Sequence, residues 1–83
     1  MVNENIGKFT IISININGIF RRVIELNEMI RRENPDMICI QETHTKEGIN
    51  PMIRNYTMFS NSWITSSKGT ADYINLRWKN NFL

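Results

Sequence analysis

From Phe9 to Ile16 apolar residues fall at odd and even positions alike, with Ile11, Ile12, Ile14 and Ile16 supplying β-branched bulk. Such a run predicts a central strand covered on both faces. Asn17 and Gly18 follow. An Asn side chain caps a helix start by accepting from free amides, and Gly permits a tight turn, so strand gives way to helix here. Over residues 19 to 33 the spacing changes: Ile19, Val23, Leu26 and Ile30 recur at intervals of four, three and four. At about 100° per residue these gather on one stripe. Arg21, Glu25, Glu28 and Arg32 fall opposite, where Arg21 with Glu25 and Glu28 with Arg32 are expected to pair at i,i+4. The expected amphipathic helix stops at Asn34-Pro35-Asp36, because Pro35 lacks an amide hydrogen and biases its predecessor out of helical dihedrals.

Met37 to Gln41 is a second short apolar run of strand length. The segment from Phe9 to Gln41 therefore spells strand, helix, strand, a βαβ unit with parallel strands that finish at one sheet edge. Beyond Glu42 the pattern weakens. Residues 43 to 51 are polar and carry Gly48 and Pro51, which predicts a loop or short turn. Residues 56 to 64 and 70 to 76 alternate as strands do, and Thr65 to Gly69 has hairpin composition. Trp78 and Phe82 are left without an evident partner element.

Size and composition narrow the class. A chain of 83 residues buries only about 60% of its unfolded surface, so a single small domain is expected. At 41% hydrophobic and 22% charged it lies in the globular range rather than the disordered one. The net charge of +2 is too small to imply nucleic acid by electrostatics alone, although four basic residues against one acidic residue after Asn50 put the surplus in the second part. The single cysteine, Cys39, excludes an internal disulfide, and its apolar neighbours suggest a buried small hydrophobe. Neither a signal peptide nor a membrane span is legible. The expected setting is intracellular, cytoplasmic or nuclear, with no membrane partner.

Candidate chemistry gathers at the shared strand edge. Asn15 ends the first strand and Glu42 follows the second, and ligands of open α/β sheets bind at that edge. A carboxylate and an amide, both oxygen donors, suit a hard divalent cation that keeps several waters. Zinc would require His or Cys clusters, which the sequence lacks. On spacing alone, Glu42 reads first as a solvated loop carboxylate and Asn15 as a turn residue, since two residues make a weak constellation. His44, two residues on, is an exposed loop histidine or a phosphate or substrate contact. Tyr56, Trp63, Tyr73 and Trp78 are core aromatics or base-stacking platforms. No phosphate-cradling glycine loop, serine elbow or Cys and His pairing is present.

Phe9-Thr10-Ile11-Ile12-Ser13-Ile14-Asn15-Ile16-Asn17-Gly18, a helix, and then Asn34-Pro35-Asp36-Met37-Ile38-Cys39-Ile40-Gln41-Glu42-Thr43-His44 resemble the opening of the endonuclease/exonuclease/phosphatase superfamily. Among its branches the chain most resembles the apurinic-endonuclease-like domain of LINE-type non-LTR retrotransposons, in which Gln-Glu-Thr-His is usual. Repair-type enzymes more often carry Lys at the position of His44. The match is best over residues 9 to 46 and loose over 69 to 76, where Asp72 and Tyr73 stand at usually apolar positions.

The resemblance implies the N-terminal portion of a four-layer α/β sandwich, a βαβ unit followed by strands, with residues 1 to 83 forming a truncated domain. It implies Glu42 as the acidic ligand of a catalytic Mg²⁺ or Mn²⁺, with Asn15 the amide that orders metal and scissile phosphate. His44 sits at a further position of the same motif. Relatives complete the site with a Tyr, an Asp-x-Asn motif and a Ser-Asp-His motif much further along. The expected function is therefore an N-terminal fragment of a Mg²⁺-dependent DNA endonuclease, inactive alone. Metal and DNA binding are expected only of the complete domain, with no small-molecule cofactor. A phosphatase, a DNA-repair nuclease, or a non-catalytic relic or interaction module are the alternatives.

Overall fold

A computed structural model describes residues 1–62 and 68–78. They form a mixed α/β unit: one five-stranded mixed sheet and one α-helix. The strands are β1 (Val2–Ile6), β2 (Phe9–Asn15), β3 (Met37–Gln41), β4 (Tyr56–Ser62) and β5 (Thr70–Asn75), and the helix is α1 (Val23–Glu33). Their order across the sheet is β1-β2-β3-β5-β4.

The apolar runs of β2 and β3 pair in parallel, Ile12 beside Ile38 and Ile14 beside Ile40, with α1 between them in sequence. The stripe on the helix meets one sheet face. Ile19, Leu26, Met29 and Ile30 bury against Ile12, Ile38, Ile40, Ala71 and Tyr73. Tyr73 is fully buried and its hydroxyl donates to the carbonyl of Pro51 at 2.8 Å. Tyr56, also buried, donates its hydroxyl to the carbonyl of Pro35. Both rings are thus core residues with satisfied polar tips, as buried tyrosines require. Trp63 and residue 64, the end of the expected strand over residues 56 to 64, residues 65 to 67 of the expected hairpin, and Phe82 lie outside the described residues.

Several local expectations are corrected. The N-terminal residues, too polar to signal a strand, form β1, antiparallel to β2 across the turn at Gly7 and Lys8. Its exposed Asn and Glu side chains suit a sheet edge, where charge and polarity deter further pairing. The helix proper starts at Val23, after a 3₁₀ turn at Phe20–Arg22, and no side chain caps either start. Asn17 is therefore not an N-cap. It adopts positive φ (49°), and the neighbouring backbone amides of Gly18 and Ile19 donate instead to the carbonyls of Glu42 and Thr43, both at 2.9 Å. The helix stops as expected, with Asn34 in the left-handed region and its N–H on the Ile30 carbonyl at 2.7 Å. Its ion pairs differ: Arg22 joins Glu25 and Arg32 joins Glu33.

The second face of β2 is not covered like the first. Ile11, Ser13, Met37, Cys39 and Gln41 are half-buried. Cys39 is accordingly not a buried core thiol. It lies opposite Asp72, and burial together with the Asp72 carboxylate pushes it up to about 11. Trp78 gains the partners that sequence did not offer: its ring packs edge-on against Phe9 at 5.1 Å, and its indole N–H donates to Asp36 Oδ1 at 2.7 Å. Among the described residues no helix is long and apolar enough to cross a membrane.

Candidate functional site

The parallel register sets Asn15 beside Gln41, so Glu42 emerges one residue past the end of β3 at the same edge. The loop after β2 is tied to this exit. The Ile16 N–H donates to the Gln41 carbonyl at 3.0 Å, and the Gly18 and Ile19 bonds continue the ladder to Glu42 and Thr43. On the other side, the Thr43 N–H donates to the Gly69 carbonyl at 3.2 Å, which brings the start of β5 to the site.

Within this frame Glu42 (φ 55°) and His44 (φ 53°) both adopt left-handed backbone, while Thr43 between them is buried. A non-glycine residue in that region costs about 1–2 kcal/mol, so two within three residues need compensation from the surrounding bonds. The consequence is directional: Thr43 plugs inward and its two neighbours reach the same patch of surface. The Thr43 hydroxyl has no hydrogen-bond partner among the described residues.

Asn15 Nδ2 donates to Glu42 Oε2 at 2.5 Å, and His44 Nε2 lies 3.6 Å from Glu42 Oε1. The hydrogen bond from Asn15 holds the Glu42 carboxyl below the usual carboxylate range, helped by the nearby positive charge of Lys68 and by His44. The structure thus brings Asn15, Glu42 and His44 together. It adds Lys68, whose place in a hairpin-like segment carries no signal for this corner. Only the pairing of β5 with β3 could have revealed it, and that pairing joins segments about thirty residues apart.

A hard cation fits part of this arrangement. With Nδ2 spent on Glu42, Asn15 keeps its amide oxygen as an acceptor, and Glu42 is held ionised, the form a divalent ion requires. Among the described residues no group of three or more His, Cys, Asp or Glu side chains could enclose a metal. The corner therefore offers two oxygen ligands, which suits an ion that retains most of its water.

A second polar cluster occupies the opposite sheet edge. Asp36, almost fully buried, receives the Thr10 N–H at 2.7 Å on Oδ2, and the Arg77 guanidinium and Trp78 indole on Oδ1. Burial alone would raise this carboxyl. The bonds from Trp78, Thr10 and Arg77 outweigh it and leave the group lowered. With the Asp36 amide on the Thr10 carbonyl and its carbonyl on the Asn75 amide, the residue fastens β2 and β5 to the start of β3. Its bonds are spent on the fold.

No known family model matches the chain, and no curated protein matches it in sequence.

Proposed function

We propose that the corner formed by Asn15, Glu42 and His44 is the metal-binding part of a phosphodiester-cleaving site, that of a Mg²⁺-dependent DNA endonuclease of the endonuclease/exonuclease/phosphatase superfamily, retrotransposon type. One observation carries this reading: the Asn15 amide is bonded to an ionised Glu42 at the ends of two parallel strands, on a backbone strained into the left-handed region. Glu42 and Asn15 would hold the ion, which when bound polarises a phosphoryl group and stabilises the leaving oxygen.

The chain's own residues have narrower tasks. Asn15 orients the Glu42 carboxylate and keeps it deprotonated. His44, with Nε2 at 3.6 Å from Glu42 Oε1, would offer a ring N–H to a phosphate oxygen near the same carboxylate. Lys68 adds positive charge beside an approaching polyanion. A general base and the groups that order it are not among these side chains, so the corner is read as one part of a larger site. In the four-layer sandwich that the resemblance implies, the half-buried face of Ile11, Ser13, Cys39 and Gln41 would receive a second layer.

Paramagnetic line broadening tests the reading directly. Mn²⁺ added to the labelled 83-residue chain should broaden the amides of residues 15 to 17 and 42 to 44 first, and Glu42→Gln should remove that preference. Broadening centred elsewhere, or unchanged by the substitution, would sink it.

A further inference from the structure

We infer that the chain carries a second binding site, for a nucleoside phosphate, in the cleft between the end of α1 and the segment from Met52 to Tyr56. The cleft encloses about 600 Å³, within the range of small-molecule sites. It lies at the edge of the sheet where β3 begins, so the five residues of β3, about 16 Å of strand, separate it from Glu42.

Its lining is one-sided in charge. Arg31, Arg54 and four asparagines line it, and among the described residues no Asp or Glu does. Of the six arginines in the chain, three are engaged in ion pairs among the described residues: Arg22, Arg32 and Arg77. Two of the remaining three are Arg31 and Arg54. Among the described residues, the side chains of Asn27, Asn34 and Asn55 also make no hydrogen bond of their own. Two arginines lining one cleft suit the oxygens of a phosphate, which guanidinium binds in a fork.

Two alternatives fit less well. Arg31 stands in the last turn of α1, where a cation offsets the helix dipole. The Asn34 N–H already caps the Ile30 carbonyl there, and the dipole gives no account of Arg54 on a separate segment. A bare phosphate would leave the floor of the cleft unused. That floor is apolar, formed by Ile30, Ile53 and the ring of Tyr56, and Met52, almost fully exposed, stands beside it. A flat ring seated on Ile53 and Tyr56, covered by the adaptable Met52 side chain, with its phosphate on Arg31 and Arg54, uses both halves. Amide side chains that donate and accept suit the edge of a nucleobase.

The experiment is an NMR titration of the isotope-labelled full chain with AMP, adenosine, inorganic phosphate and a 5′-phosphorylated trinucleotide. AMP should shift the amides of Asn27, Arg31, Arg54 and Asn55 and bind more tightly than adenosine or phosphate alone. Arg31→Gln with Arg54→Gln should weaken it at least about tenfold, and Arg21→Gln, which removes an arginine outside the cleft, should not. Binding of AMP or of the trinucleotide supports the site, and the tighter of the two tells a free nucleotide from a strand end. Overturning results are no shift in the cleft with either, shifts confined to residues 15 to 17 and 42 to 44, phosphate binding as tightly as AMP, or unchanged affinity in a double variant whose spectrum remains that of the folded chain.

Discussion

Asn15 and Glu42, separated by 26 residues of chain, meet through a 2.5 Å hydrogen bond because β2 and β3 run parallel and end in register. The amide is a neutral donor, so it favours the ionised carboxyl without cancelling its charge. A lysine in its place would hold the carboxylate just as firmly but would neutralise the field that a cation feels.

That relationship predicts a titration. Asn15→Ala should raise the Glu42 pKa toward the ordinary glutamate value, since the largest lowering influence is then gone and only Lys68 and His44 remain. Carboxyl-carbon NMR across pH 2 to 7 reads the change. A Glu42 that titrates identically in both proteins would show that the hydrogen bond is not kept in solution.

At the other sheet edge, Asp36 should govern acid stability. Its folded pKa is depressed, so its contribution is fully present above the unfolded value of about 3.9 and is lost as pH falls through the folded value. Asp36→Ala removes acceptors for Thr10, Arg77 and Trp78 together and should cost about 2–4 kcal/mol. Urea denaturation at pH 7 and at pH 3 checks both points. The variant should lose less stability than the parent on acidification, and equal losses would contradict the assignment.

Two substitutions separate backbone from side-chain effects in the loops. Gly18 has φ of 101°, and a Cβ there would stand 2.7 Å from Arg21 Cδ. Arg21 is flexible enough to move, but the dihedral is not available to alanine without strain, so Gly18→Ala should destabilise by about 1–3 kcal/mol. Thr43→Val should be neutral or stabilise by up to about 1 kcal/mol, because it replaces by a methyl group a buried hydroxyl that has no hydrogen-bond partner among the described residues. Thermal denaturation measures both. A clear loss in the valine variant would reveal a hydrogen bond to that hydroxyl.

How far the sequence could be read follows from where each element gets its stability. β2 and β3 were legible as apolar runs of strand length around Ile12 and Ile38, and α1 because Leu26 and Ile30 recur at helical spacing and bury one face. The meeting of Asn15 with Glu42 followed from that topology. β1 was not legible, since Asn3, Glu4 and Asn5 lie on an exposed edge where backbone pairing alone makes the strand. The pairing of Glu25 differs because the 3₁₀ turn before Val23 shifts Arg21 and Arg22 around the helix axis, so that Arg22 meets it instead of Arg21, while Arg32, inside the helix, pairs with the adjacent Glu33. Lys68 and the cluster around Asp36 depend on β5 pairing with β3, and no local pattern records a contact between distant strands.

The last expectation concerns activity. Metal-assisted phosphodiester cleavage needs an activated water, a polarised phosphoryl group and a stabilised leaving oxygen, and the groups that supply these act as a unit. The described residues offer a carboxylate, an amide and an imidazole at one corner, with no second carboxylate beside them. The 83-residue chain should therefore bind Mn²⁺ weakly at residues 15 and 42 yet leave supercoiled plasmid unnicked in Mg²⁺. A longer form carrying the Asp-x-Asn and Ser-Asp-His motifs should nick, and Glu42→Ala in that form should lose at least about a hundredfold in rate. Chelator-sensitive nicking by the purified 83-residue chain, abolished by Glu42→Ala, would show that this corner is a working site by itself. Full activity of the longer form without Glu42 would remove the residue from the chemistry altogether, whatever its bond to Asn15.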